Sequence, residues 1–401
     1  MKSLVVPLKL RSLTDGGHTR KVTWLELFFD LIFVAAVAQV AEPLREHYAL
    51  GELVRFSPLF VLIWWAWTGH TVFSTRFDTD DVVQRVLTLV QMFAVAAMAA
   101  NAKDALDSRS SAGFAAAYAA VRFVLVAQYF RARRVPDAHP LATRYLVGHG
   151  LAAIIWLASA LVPAPPRFWI WALAFVIDLG TPWFAVRHSV SVPPDGTHLP
   201  ERFGLFTLIL LGESVVAVMQ GMESQDDWTP EAAISAFLGM GISFVIWWWY
   251  FDGASGASER RVHSRRDAVR FHVWSYAHFP LYLGIAVAGV GVKRIVTAAS
   301  RTTMEPGEAL IVMSAAALVM VAMTVIGATS RDAPDQKPTR WFPHSAFAAA
   351  TIAVGVTGSI TIPVALVFSL AALCLAQLGL SLATSSPAAL PRHIVAAQQI
   401  D

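Results

Sequence analysis

The composition of this 401-residue chain excludes an ordinary soluble protein. Hydrophobic residues make up 56% of the chain and charged residues only 15%, whereas soluble domains carry about 25% charged residues. The net charge of +3 is too small to indicate a nucleic-acid-binding protein.

Apolar blocks of about 20 residues follow one another along the chain, separated by short polar stretches. At 1.5 Å per residue, a helix of this length spans the ~30 Å hydrocarbon core of a bilayer. We therefore predict an all-α, polytopic integral membrane helical bundle of about twelve transmembrane helices. The predicted helices cover 23–43, 54–74, 83–102, 112–130, 143–162, 168–187, 202–222, 232–252, 270–291, 308–328, 342–360 and 362–384. The last two predicted helices have an alternative. They could instead form one long helix and a re-entrant segment, which would give eleven membrane spans.

Basic residues between the blocks predict the orientation of the bundle. With the N-terminus inside, the inside segments hold 22 Lys and Arg residues and the outside loops hold 8. This bias follows the positive-inside rule, so we predict a multi-pass membrane protein with both termini cytoplasmic. The first apolar block begins only at Thr23, and no small-residue cleavage site follows it. We expect a retained helix rather than a removable signal peptide.

The two halves of the chain indicate an internal duplication. An offset of 183 residues places Asp30 over Glu213, and 63–67 over 246–250. Because six helices is an even number, the two halves would share one orientation and form a parallel repeat. The predicted organisation is a cytoplasmic N-terminal tail (1–22), a first six-helix half (23–187), a cytoplasmic linker (188–201), a second six-helix half (202–384) and a cytoplasmic C-terminal tail (385–401).

Ionisable residues inside the apolar helices are the candidates for a functional site. A charge at the bilayer centre costs about 2.5–3.5 kcal/mol on insertion scales, so each such residue needs a partner or a role. Glu26 and Asp30 lie four residues apart, and therefore on one face of the first helix. The other candidates are Arg122, Asp178, Glu213, Glu201 at the start of the seventh helix, and His278.

Two interpretations of these residues stay open. Carboxylates that face the interior of a bundle can bind a cation or take up a proton, with Arg122 as the counter-ion of Asp30 and Glu213 or as a holder of an anionic substrate. Under the duplication, Asp30 and Glu213 would flank a central axis, where a substrate site is expected. The alternative is an inert ion-pair network that locks the helices together, so that the loss of one partner destabilises the fold.

Motifs of known metal, redox and nucleotide sites are absent from the sequence. The chain contains no HExxH, CxxC or GxxxxGK[ST] motif, so we expect no metal, no cofactor and no ATP-driven pump in this chain. The single cysteine, Cys374, cannot form an intrachain disulfide.

Two segments that contain the intramembrane carboxylates resemble a known family. VTWLELFFDLIFV at 22–34 and ERFGLFTLILLGES at 201–214 resemble the two signature stretches of the bacterial low temperature requirement A family. Supporting matches are the Arg122 helix, Asp178-Leu179, 247–252 and His278-Phe279-Pro280-Leu281, and the resemblance covers about 20–385. The family is named for a growth phenotype in the cold. The resemblance implies a polytopic transport or stress-tolerance protein and supplies no substrate.

Together these patterns favour a secondary transporter or ion-conducting protein, with Asp30 and Glu213 as central ionisable groups and Arg122 as their partner. The second hypothesis is a non-transporting membrane protein that supports the envelope or cold-stress tolerance by binding lipid or proteins. The third is an intramembrane lipid-modifying enzyme, which needs convergent His, Asp or Ser groups; only scattered ones appear, so we expect no enzyme. The expected partners are the lipid bilayer and a small ion or solute, but not nucleic acid. The oligomeric state is not predicted.

Overall fold

The computed structural model of the chain is a bundle of long α-helices. It describes residues 8–10, 22–78, 81–107, 110–225, 229–254, 256–299, 303–305, 307–329, 341–357 and 362–384. Within them, the helices are α1 (Trp24–Glu46), α2 (Leu50–Arg76), α3 (Val82–Ala100), α4 (Ser111–Ala132), α5 (His139–Ser159), α6 (Pro166–Phe184), α7 (His198–Glu223), α8 (Pro230–Trp248), α9 (Arg265–Thr297), α10 (Glu308–Ala328), α11 (Trp341–Thr357) and α12 (Pro363–Thr384). The predicted C-terminal tail (385–401), and the predicted N-terminal tail apart from 8–10 and residue 22, lie outside the described residues.

The all-α membrane bundle predicted from the sequence is confirmed. In the described part of the chain, ten helices are long and apolar enough to cross a membrane. Helices α6 and α11 fall outside that set, although each matches a predicted helix. The outer surface of the bundle exposes large apolar side chains such as Phe93 and Phe237, as expected of a surface that faces lipid. Near the C-terminal end, α11 and α12 are two separate helices rather than one.

Short elements other than α-helix also occur, among them a 3₁₀ turn over Pro136–Ala138. Helix α8 runs directly into a π-helical turn over Trp249–Gly253. Lys9–Leu10 (β1) pairs in antiparallel fashion with Phe77–Asp78 (β2), directly after α2. These two-residue strands tie the segment before α1 to the end of α2.

Several helices begin earlier than their apolar blocks predict, and polar residues account for this in α7 and α9. Helix α7 begins at His198 rather than at 202, since the Asp195 carboxylate accepts hydrogen bonds from the backbone N–H groups of Thr197 and His198. Helix α9 begins at Arg265 rather than at 270, where Ser264 and Asp267 form a reciprocal capping box. The early start of α7 adds a full helical turn before Arg202 and brings this arginine inside the bundle.

The two halves of the chain meet mainly through α1, α2, α7 and α9. Helix α1 packs against α7, and α2 packs against both α7 and α9. The packing of the two halves agrees in part. The first helix of each half packs on the second and third helices of that half, and the third helix packs on the fourth. However, α12 packs closely on α8, whereas the described parts of α6 and α2 pack less closely. The duplication therefore stays a prediction.

Candidate functional site

A salt bridge in the core joins the first helices of the two halves. The Asp30 carboxylate of α1 accepts hydrogen bonds from Arg202 of α7, at 2.5 Å from Nη2 and 3.1 Å from Nε. The indole Nε1 of Trp67 in α2 donates to the same carboxylate at 2.7 Å. All three side chains are buried. The carboxylate is therefore charge-compensated and hydrogen-bonded by three helices at once.

Further ionisable groups extend this salt bridge toward one end of the bundle. Glu26 lies 3.2 Å from Nε2 of His198 and 3.5 Å from Nη1 of Arg202, and its other oxygen accepts from Thr23. Nδ1 of His198 lies 3.5 Å from Glu201, whose side chain is about half exposed at 47%. A continuous series of charges thus runs from the buried core to the end at which α1 and α7 begin. We call that end the α1 end.

Matched spacing in the sequence produces the contacts between α1 and α7. Glu26 and Asp30 lie four residues apart, as do His198 and Arg202, so each pair occupies one face of its helix. The two cross-pairs follow one another in the same direction along both helices, which shows that α1 and α7 run parallel. Two acidic groups on one helix therefore face two basic groups on the other.

A second buried ion-pair network lies wholly within the first half. Nε of Arg122 in α4 lies 2.8 Å from Oδ2 of Asp178 in α6, and Nδ1 of His149 in α5 lies 2.6 Å from Oδ1. Arg122 also donates to the Tyr118 hydroxyl at 2.6 Å, and that hydroxyl lies 3.4 Å from Asp178. The network binds three consecutive helices together and balances one positive charge against one negative charge.

Two glycines allow the helices around Arg122 to approach closely. A Cβ atom on Gly69 of α2 would lie 2.9 Å from Nη1 of Arg122. A Cβ atom on Gly148 of α5 would lie only 2.2 Å from the Thr181 hydroxyl of α6. Both glycines therefore keep the distances on which the Arg122 network depends.

A small cavity opens between the two halves beside this network. Its volume is about 30 Å³, room for about two water molecules. It is bounded by α2, α5 and α6 of the first half and α9 of the second. The lining residues are Trp65, Thr68, Gly69, Val72, Arg76, Tyr145, His149, Pro182, Phe271, His272, Ser275 and Tyr276. Arg76 is the last residue of α2, so the cavity lies toward the α1 end of the bundle. His149 thus lines the cavity and also bonds to Asp178.

The structure separates residues that the sequence hypothesis grouped together. Glu213 pairs with Arg45 at 3.2 Å and is partly exposed. It lies 11 residues beyond Arg202 along α7, which is roughly 16 Å from the level of Asp30. Arg122 contacts Asp178, and Asp30 contacts Arg202. The predicted role of Arg122 as the partner of Asp30 and Glu213 is therefore wrong, because each carboxylate has a different arginine on the helix facing it.

His278 belongs to neither ion-pair network. Its Nε2 lies 2.9 Å from the Tyr250 hydroxyl, and its Nδ1 lies 2.8 Å from the carbonyl oxygen of Trp274. The ring is fully buried and packs on Phe203. His278 therefore joins α9 to the π-helical turn and does not line the cavity described above.

The segment before α7 is held by the Asp195 carboxylate. Besides the two backbone N–H groups, Asp195 accepts a hydrogen bond from the Thr197 hydroxyl at 2.8 Å. Burial opposes ionisation of this carboxyl, but the hydrogen bonds outweigh it and hold the pKa of Asp195 below its ordinary value. The adjacent Gly196 carbonyl accepts from the Arg260 N–H at 2.7 Å. The predicted linker is thus packed against the segment that precedes α9.

The arrangement of these groups does not favour a bound cation. Arg202 stands between Asp30 and Glu26, and Arg122 contacts Asp178, so each buried carboxylate already faces a positive charge. Among the described residues, no three His, Cys, Asp or Glu side chains are grouped as metal ligands. What the geometry offers is a hydrogen-bonded His149–Asp178 pair at a cavity wall.

Sequence comparison shows the family to which this bundle belongs. A family model described as bacterial low temperature requirement A protein (LtrA) matches residues 21–385. The chain belongs to the LtrA family. It is similar to an uncharacterized protein, RA0937, of Rhizobium meliloti (strain 1021), with 28% identity over 292 residues that make up 69% of this chain and 70% of the relative. No solved structure matches.

LtrA membership and the apolar helices together identify a multi-pass bacterial membrane protein. Both ion-pair networks and the cavity lie within the region that the LtrA model matches. Several contact residues were not among the predicted site residues, including Arg202, His198, Trp67 and His149. The repeated four-residue spacing on α1 and α7 is the signal that could have identified the first two.

Proposed function

We propose that this LtrA-family protein is a secondary transporter of the bacterial cytoplasmic membrane, with His149 and Asp178 as its proton-coupling pair. The observation that carries the proposal is that His149 has two neighbours. It lines the cavity between the halves, and its Nδ1 lies 2.6 Å from Oδ1 of the buried Asp178. Histidine changes its charge between about pH 5 and 8. Ionisable groups at such positions in membrane proteins commonly belong to proton relays.

Charge balance supplies the coupling in this mechanism. With a neutral His149, the charges of Arg122 and Asp178 cancel. Protonation of His149 would add a positive charge to the cavity wall, which is unfavourable in a low-dielectric interior unless an anion or solvent compensates it. A proton and a negatively charged solute would therefore enter the cavity together. With both termini cytoplasmic, as the loop charges predict, the α1 end and the cavity would face the cytoplasm.

The Asp30–Arg202 salt bridge has a structural role in this proposal. Asp30 is fully buried, makes hydrogen bonds to Arg202 and Trp67, and does not line the cavity. It connects α1, α2 and α7 across the two halves and would keep them aligned while the cavity opens and closes. Glu213, at the far end of α7, would have no part in coupling.

Reconstituted protein tests the proposal. Proteoliposomes that contain a pH-sensitive dye would report proton movement after chloride, formate, acetate or a panel of small cations is added outside. We expect an anion-dependent proton flux in the wild type, its loss in His149→Gln and Asp178→Asn, and its retention in the matched variant Glu213→Gln. A flux that persists unchanged in both folded variants would overturn the assignment of the coupling pair.

One observation favours a second function, that of a non-transporting membrane protein. Both Asp30 and Asp178 lie in closed ion pairs with fully buried partners, as a structural network requires. This function predicts that no solute on the panel produces a flux. It also predicts that the same variants lower thermal stability without any other effect.

A further inference from the structure

Among the described residues, no carboxylate forms an ion pair with the buried side chain of Arg76. It is only 1% exposed and lines the cavity at the end of α2. Its Nη2 donates a long hydrogen bond of 3.4 Å to the Ser189 hydroxyl, and its guanidinium lies over the Tyr145 ring at 5.2 Å. Its Nε and Nη1 atoms have no hydrogen-bond partner among the described residues. The cavity is therefore lined by a positive charge that has unused donors.

Three other buried arginines of the described bundle have more complete sets of partners. Arg122 and Arg202 each contact a buried carboxylate. Arg167 donates to three backbone carbonyls and a serine hydroxyl. A buried charge without such partners is strongly unfavourable. Arg76 therefore calls for a negatively charged group that the described chain does not provide.

The remaining cavity wall suits an anion of limited size. The rest of the wall is mostly apolar, since the Thr68 hydroxyl donates to the Trp64 carbonyl oxygen and Nε2 of His272 lies 3.4 Å from the Pro182 carbonyl oxygen. The volume of about 30 Å³ accommodates a halide or a formate-sized carboxylate. A phosphate group is larger than the two water molecules for which this cavity has room.

We propose that the cavity binds one small monovalent anion, of the size of chloride or formate, against the guanidinium of Arg76. The proposal names the ligand class of the suggested transporter, and in that respect it rests on the proposed function. Its structural basis is separate, because the buried guanidinium has donors without partners among the described residues whether or not an anion is transported.

Equilibrium binding to the purified full-length protein tests this site. Thermal unfolding is followed in phosphatidylcholine nanodiscs while chloride or formate replaces gluconate at constant ionic strength. A ligand that binds only the folded state raises stability in a saturable way. We expect such a rise with chloride and formate in the wild type. In Arg76→Met the affinity should fall by roughly 10-fold or more, the effect of losing hydrogen bonds to a charged group.

Arg167→Met is the matched control, because Arg167 is also buried but is satisfied by the chain itself. We expect it to lower the unfolding temperature and to keep the chloride response. The proposal is overturned if Arg76→Met keeps the response of the wild type, or if only phosphate or phosphatidylglycerol nanodiscs stabilise the protein. It is also overturned if gluconate stabilises as well as chloride does.

A measurement on the wild type covers the case in which Arg76→Met does not fold. Exchange with a protein site broadens the ³⁵Cl magnetic resonance line, and formate should reverse that broadening. The site would be refuted if the protein did not broaden the ³⁵Cl line, or if formate did not reverse the broadening. Anion binding without proton flux would refute the transporter but not the anion site. Proton flux that does not depend on Arg76 would refute the anion site but not the transporter.

Discussion

Asp30 of α1 and Arg202 of α7 form a two-point salt bridge between the two halves of the bundle. The two contacts measure 2.5 and 3.1 Å, and neither side chain is exposed. Since no water can take the place of either partner, each charge depends on the other. The pair is therefore an anchor of the fold, and its loss should be felt as instability.

Asp30→Asn should destabilise the protein by about 3–5 kcal/mol, because it leaves the Arg202 charge buried without compensation. Thermal or denaturant unfolding in detergent measures the loss. Glu213→Gln is the control, since Glu213 and Arg45 form a partly exposed pair whose removal should cost about 0–1 kcal/mol. Equal losses in the two variants would contradict the anchoring role of Asp30.

Gly148→Ala should destabilise the protein by about 1–3 kcal/mol through overpacking. The added methyl group would lie 2.2 Å from the Thr181 hydroxyl and 3.0 Å from its Cβ, so α5 must move away from α6 and stretch the His149–Asp178 contact. Gly150→Ala, two residues along the same helix, meets only one atom at 3.9 Å and should be neutral or stabilising. The double variant Gly148→Ala with Thr181→Ala should recover part of the lost stability. Unfolding curves of Gly148→Ala, Gly150→Ala and the double variant measure these differences.

The contribution of Asp195 to the stability of the protein should decrease measurably at acidic pH. The pKa of Asp195 is held below its ordinary value in the folded chain, whereas it is about 3.9 in an unfolded chain. Its contribution to stability is therefore fully present above about pH 5 and is lost as the pH falls through the folded pKa. Asp195→Asn retains an acceptor for the N–H groups but not the charge.

The difference in stability between wild type and Asp195→Asn isolates this titration from that of other carboxyl groups. Unfolding at a series of pH values from 7 to 3 should show an advantage of the wild type near neutrality that shrinks toward pH 3. An advantage that is constant over this range would mean that the charge of Asp195 does not contribute.

His278→Ala should affect stability and leave transport coupling intact. The substitution removes a hydrogen-bonding partner of the buried Tyr250 hydroxyl, which costs about 1–3 kcal/mol, and it also opens a space beside Phe203. Unfolding measurements and the proton-flux assay on the same preparation test both expectations. A folded variant that has lost coupling would return His278 to the functional site.

The architecture was readable from the sequence because the bilayer imposes a simple rule. A helix that crosses it needs about twenty apolar residues, and every block of that length became a helix. The starts of α7 and α9 were missed because Asp195 and the pair Ser264 and Asp267 extend these helices into polar sequence. Hydropathy detects the apolar blocks but not the side chains that cap helices outside them.

The pairing of charges was not readable in the same way. Hydropathy identified Asp30, Arg122 and Asp178 as buried charges that need partners, but which charges meet depends on helix packing. The predicted seventh helix begins at Arg202, so hydropathy places this residue at the membrane surface rather than in the core. A cavity formed by four helices has no signal in any one of them, so the position of Arg76 emerged only from the structure.

The contacts between α1 and α7 bear on how the chain is made. Glu26 and Asp30 find their buried partners in residues that follow 172 positions later. At about 5–20 residues per second, ribosomes need on the order of ten to thirty seconds to synthesise that interval. During this time the two carboxylates of α1 have no partner from α7. The newly made first half must therefore be sheltered by the insertion machinery, or remain loosely inserted, until α7 emerges.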